Sequence, residues 1–141
     1  MKSLDLTPEQ KPTYDKLLSM VEVIEKRLRL EIDQTESEQL LHEINHRQQL
    51  NADSSKIMEY ATIIYDSMQG LAAEQMLLNA EAMEAPAAIR TMLLKGKLAK
   101  WSALYERSVE ACKTLDKSIE GLRSMLSYNK ELISNKVFHE G

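Results

Sequence analysis

Glycine and proline are scarce in this 141-residue chain, with four and three copies, against a usual combined share of roughly 12%. The four glycines, Gly70, Gly96, Gly121 and Gly141, stand isolated, so there is no glycine-rich loop to cradle a phosphate and nucleotide hydrolysis is not expected. Cysteine occurs once, as Cys112. An internal disulfide is therefore excluded, and a reducing, cytoplasmic compartment is the expectation. With no apolar run ahead of the acidic first segment, no secretory leader is expected. No stretch approaches the ~18 consecutive apolar residues of a membrane span. Only seven residues are aromatic, so the core must be aliphatic and rich in methionine.

What remains is the set of residues that lose least on entering a helix: Leu, Met, Ala, Glu, Lys and Gln. The chain reads as all-α. Leu6-Thr7-Pro8-Glu9-Gln10 has the form of a helix start, with Thr7 as N-cap and Pro8 at the first helical position. Pro12 interrupts it, moving the regular part toward Thr13 and turning Tyr14, Leu17, Val21, Ile24 and Leu28 inward. Between Asp33 and Asn51 the residues are polar apart from Leu40, Leu41, Ile44 and Leu50, which fits a surface helix or a partly ordered connection. A second seam opens near Asn51-Ala52-Asp53-Ser54 and runs Ile57, Ala61, Ile64, Met68, Leu71, Gln75, Leu78, Ala82, with Gly70 placed for close helix approach. Pro86 ends it, because Ala85 before it is driven out of the α region.

The last segment holds a four-three alternation for more than five heptads: Leu94, Leu98, Trp101, Tyr105, Ser108, Cys112, Leu115, Ile119, Leu122, Leu126, Asn129 and Ile133. It is longer than its expected partner over residues 54–84. The overhang around residues 115–136 is therefore where subunits are expected to meet, through Leu115, Ile119, Leu122, Leu126, Asn129 and Ile133. A buried Asn129 pair would fix register.

Charge is divided along the chain. Residues 1–89 carry 16 acidic against 8 basic side chains, and residues 90–141 carry 6 against 10. Within the basic end, Arg90, Lys95, Lys97, Lys100 and Arg107 surround Trp101 and Tyr105, cations beside stacking surfaces, as single-stranded nucleic acid requires. Pairing of these cations with the acidic half of the chain is the competing reading.

One catalytic motif is present in letters. His42-Glu43-Ile44-Asn45-His46 spells H-E-x-x-H, which on a helix sets two imidazoles on one face for zinc. The metzincin continuation fails at Gln49 and Ala52, the flanks Arg47, Gln48 and Gln49 offer nothing to bury and orient ligands, and a solvated polar face is the expectation. Cys112 lies in the apolar seam, where a thiol acts as a small hydrophobe. No cofactor and no metal are expected.

The stretch Lys100-Trp101-Ser102-Ala103-Leu104-Tyr105-Glu106-Arg107, then Leu115-Asp116 and Gly121-Leu122-Arg123-Ser124-Met125-Leu126-Ser127-Tyr128-Asn129-Lys130, resembles the end of the UvsY-type recombination mediators of tailed phages. In that family an apolar-periodic last helix ends in an Arg-plus-small turn with a lysine beyond, here Arg123, Ser124 and Lys130. The resemblance covers the last third of the chain. It implies a non-catalytic homo-oligomer that binds single-stranded DNA and helps a recombinase replace the single-strand-binding protein coating it. The basic flank would then contact DNA and the C-terminal helix would build the oligomer. Expected overall is an elongated helical hairpin or small bundle with a long C-terminal helix: residues 1–52 an acidic, partly ordered helical segment, and 53–141 a helical hairpin with a basic oligomerisation helix. The alternative function is a structural or chaperone-like protein-interaction adaptor that does not bind DNA.

Overall fold

A computed structural model describes residues 13–140, with side chains through residue 135. The expected helix start at Leu6–Gln10 lies outside the described residues. Within them are five helices and no strand: α1 (Tyr14–Leu28), α2 (Ser37–Ala52), α3 (Ser54–Leu77), α4 (Ala80–Glu84) and α5 (Ala87–Glu140). None is long and apolar enough to cross a membrane.

The Thr13 hydroxyl caps α1 by accepting the Lys16 amide at 3.1 Å, satisfying one of the four donors a helix start leaves open. Leu17, Val21 and Ile24 then recur on one face and are buried. In the connection that follows, the Asp33 carboxylate accepts both the backbone amide and the hydroxyl of Thr35, at 3.0 and 2.6 Å. This local turn brings the chain back into α2, and the two bonds hold the Asp33 carboxyl below its usual range.

The polar segment after Asp33 is a full helix. Its apolar stripe is narrow, but Leu40 and Ile44 are buried. Between α2 and α3 only Asp53 intervenes, in αR conformation and without a side-chain cap, while the Ser54 hydroxyl donates to Asn51 Oδ1 at 3.0 Å. The two helices thus follow one another almost as one rod, and the division expected between residues 52 and 53 falls at this single-residue break.

On α3 the seam begins as expected, with Ile57, Ala61 and Ile64 buried and Met68 packed against the core. It then slips: Ala72 and Met76 are inward, while Leu71 is 46% and Leu78 89% exposed. A straight α-helix drifts about 20° per heptad from a 3.5-residue repeat, so a strict four-three count fails after two heptads. Nor does Gly70 mark a close approach, since a Cβ there would meet nothing within 4 Å. The helix also stops earlier than residue 84, restarting as α4 where Asn79 accepts the Ala82 amide. Ala85 is extended (ψ 151°) ahead of Pro86, as the proline demands.

The long helix α5 is the spine. Tyr65 packs on Tyr105, Asn51 reaches Asp116, and Asn129 donates to the Gln34 carbonyl. Together these set α5 antiparallel to the whole α2–α3 rod. Helix α1 fills the remaining side, with Tyr14 against Trp101 and Glu25 against Arg107. A single core joins α1, α2, α3 and α5.

This bundle corrects the expected subunit seam. Leu115, Ile119 and Leu122 are 0%, 3% and 8% exposed within one chain, because α2 supplies the partner that a hairpin of α3 and α5 alone would have lacked. Leu126 packs at the edge of the same core, Asn129 is engaged by Gln34, and of the six only Ile133 is largely exposed. Ser108, fully buried, donates its hydroxyl to the Leu104 carbonyl at 2.8 Å, so this polar interruption is satisfied within its own helix.

Candidate nucleic-acid interface

The basic end of the chain occupies the first half of α5, and its members have separate surroundings. Lys95, Lys97 and Lys100 are exposed. The ion pairs among the described residues are Arg27–Glu43, Arg47–Glu43 and Arg107–Glu25, so these three lysines take part in none. From Ala85 to Tyr105 there is no carboxylate in the sequence. Three exposed ammonium groups result, unpaired among the described residues and spread around α5, with Lys97 and Lys100 about 60° apart and Lys95 on another face.

Arg107 is different. Its Nε donates to both Glu25 oxygens at 3.0 and 2.8 Å and its Nη2 to Glu25 Oε1 at 2.5 Å. The Arg107 hydrogen bonds hold the Glu25 carboxyl below its usual range against a smaller opposing effect of burial. For this residue the internal-pairing reading prevails over phosphate contact. The pair is solvent-screened, so Arg107→Gln is expected to lower stability by less than about 1 kcal/mol in urea denaturation. Arg90 is half-buried, and its Nε–H is shielded from solvent without an acceptor, a poor posture for reaching phosphate.

The two rings expected to stack on bases are occupied. Trp101 is half-buried and meets Tyr14 edge to face, with centroids 5.2 Å apart at 86°. Tyr105 lies against Tyr65 at 5.4 Å. Both belong to the rim of the core. The Lys100 ammonium sits 4.2 Å from the Tyr14 centroid and 5.4 Å from that of Trp101, a cation–π arrangement that tethers the lysine stem and leaves its charge at the surface. What the cluster offers a ligand is positive charge.

The H-E-x-x-H segment is not a solvated face. Glu43 and Arg47 are each only 5% exposed. Glu43 Oε1 accepts from Arg27 Nε at 2.8 Å and Arg47 Nε at 2.9 Å, Glu43 Oε2 accepts from Arg27 Nη2, and Arg47 Nη2 donates to the Arg27 carbonyl at 3.3 Å. Burial works to raise the Glu43 carboxyl, but the two guanidinium groups outweigh it and hold the group below its usual range. Three of the roughly four acceptor positions of Glu43 are thus taken by guanidinium groups, which hold it as a structural anion. His42 is exposed and His46 half-buried, and among the described residues no cluster of three or more His, Cys, Asp or Glu side chains is placed to hold a metal ion. An open cleft of about 470 Å³ runs beside His42, lined by Leu30, Glu31, Ile32, Glu38, Gln39, His42 and Glu43. Its three carboxylates make it unsuited to a phosphate.

The triad is what reading the sequence missed. One signal was available: Glu43 precedes Arg47 by four residues, the favourable order for a helical pair. Cys112, 9% exposed, has its thiol pushed up by burial, as an inert seam residue should. Compared with protein-family models, curated proteins and solved structures, the chain matches none.

Proposed function

We propose that this chain is a non-catalytic mediator that binds single-stranded DNA through Lys95, Lys97 and Lys100, oligomerises by helix packing, and helps load a recombinase. The observation that carries the reading is the stretch from Ala85 to Tyr105, which bears four cations and no acid, with its three lysines exposed and outside every ion pair among the described residues. The resemblance of residues 100–130 to UvsY-type mediators supports the role in recombination. Because Trp101 and Tyr105 pack against Tyr14 and Tyr65, contact with the strand is electrostatic and base preference is small.

Three phosphate contacts per copy imply a modest salt slope, about −2 in log K against log salt on single strands. Several copies on one strand raise the avidity. Fluorescence anisotropy of a labelled mixed-sequence strand, at low and near-physiological salt, tests this. Binding is expected to weaken with salt along that modest slope, and the pair Lys97→Glu with Lys100→Glu is expected to abolish it while far-ultraviolet circular dichroism stays unchanged. Absence of binding at low salt would overturn the reading. A protein-binding adaptor would then account better for the apolar side chains exposed at the end of the α3–α5 hairpin, Leu77, Leu78 and Met92 among them.

A further inference from the structure

Among the described residues, the hairpin of α3, α4 and the first turns of α5 extends past the level of Tyr14 as a tip. Leu77, Leu78 and Met92 are there 66%, 89% and 72% exposed, with Ile89 and Leu93 exposed beside them. Exposed apolar side chains gathered at one end of a hairpin mark an interaction site where they adjoin over a few hundred Å². The charges of the tip are sorted by helix. From Ile57 to Glu84 there are five carboxylates and no lysine or arginine, whereas Ala85 to Tyr105 holds the reverse. Glu74, Glu81 and Glu84 are exposed on one arm, and Lys95, Lys97 and Lys100 on the other. None of these six is ion-paired among the described residues.

We infer that the tip is a self-docking surface whose occupant is the tip of a second copy. A two-fold interface must be self-complementary, each copy offering what the other needs. An apolar centre flanked by an anionic arm and a cationic arm meets that condition: the α5 arm of one copy lies against the α3–α4 arm of its mate, and Leu78 and Met92 of both are buried between them. The opposed charges fix register and exclude the like-on-like arrangement, while the apolar side chains supply the affinity. This surface is distinct from the C-terminal seam, whose Leu115, Ile119 and Leu122 are consumed within the chain.

Sedimentation equilibrium of the full chain without nucleic acid, over a hundred-fold range of concentration, reads the association directly. A reversible monomer–dimer equilibrium is expected. Leu78→Ser with Met92→Ser, both at exposed positions that leave the fold intact by circular dichroism, is expected to weaken association at least about ten-fold. Lys97→Glu and Glu81→Lys are each expected to weaken it, and the two together to restore it. A monomer at every concentration would overturn the inference, as would failure of the combined reversal to restore association. Association that survives the tip substitutions and is lost in Leu132→Ser with Ile133→Ser would overturn it as well. Because no DNA is present, failure of the nucleic-acid reading leaves this result standing; the same lysines serve both readings, so Leu78→Ser with Met92→Ser, which spares them, is the variant that reads association alone.

Discussion

Glu43→Ala is expected to cost this protein about 3–5 kcal/mol, the penalty for removing one member of a buried ion group. Arg47, 5% exposed, would be left charged and without its carboxylate, and Arg27 would lose a bidentate partner. Against a total stability of about 5–15 kcal/mol, that is a large fraction, and for a chain of this size it corresponds to a fall in Tm on the order of 10 °C. Thermal denaturation followed by circular dichroism measures it. The triad is less valuable than that number suggests, because the deletion penalty mainly records the cost of stranded arginines. Replacing all three together, as Arg27→Met, Glu43→Leu and Arg47→Met, is expected to leave stability unchanged or raise it.

The same group sets an acid limit. Glu43 has its folded-state value below the ordinary 4.5 of a glutamate, so the unfolded chain takes up a proton before the folded one does. The stabilisation is fully present above about pH 4.5 and is lost as pH falls through the lower folded value. In Glu43→Gln the group no longer titrates. The slope of stability with pH below 4.5 should accordingly be shallower than in the parent chain, with Glu25 supplying part of what remains.

The helices could be read from the sequence where apolar spacing was regular, and the contents of the bundle could not. Tyr14, Leu17, Val21 and Ile24 announced α1, and the four-three alternation from Leu98 to Leu122 announced α5, because each has a core on one principal side. Leu104 and Ala111 were missed because α5 is covered by α1 as well as by the α2–α3 rod, which widens its buried arc beyond a heptad seam. Helix α2 was obscured for the opposite reason. Its inward face carries Glu43 and Arg47, whose burial depends on Arg27, sixteen residues before Glu43, and no local pattern reports that partner. At the candidate interface the lysines were legible as a run free of acids. The engagement of Arg107 by Glu25, 82 positions away, and of Trp101 by Tyr14 was not, since both depend on how α1 lies along α5.

Leu115→Ala distinguishes the two accounts of the C-terminal helix. Leu115 is fully buried within one chain, in a cluster that includes Leu40 and Ile44 of α2. Truncation should therefore cost about 2–5 kcal/mol through lost transfer and residual cavity. A side chain buried inside one chain makes the size of that loss independent of protein concentration, whereas one buried between subunits would make the variant's Tm rise with concentration more steeply than the parent's, by mass action. Melting both chains at two concentrations about twenty-fold apart is the check, and an equal fall at each is expected. Leu40→Ala should cost a comparable amount. In the register set by Asn51 with Asp116 and Asn129 with Gln34, Leu40 lies well along α5 from Leu115, so the losses in the double variant Leu40→Ala, Leu115→Ala should add to within about 0.5 kcal/mol. Ile133→Ala, at a position 58% exposed, should fall within about 0.5 kcal/mol of the parent. Together these results would confine the lower half of α5 to holding the bundle, leaving its upper half, where the lysines and the apolar tip lie, as the face available to other molecules.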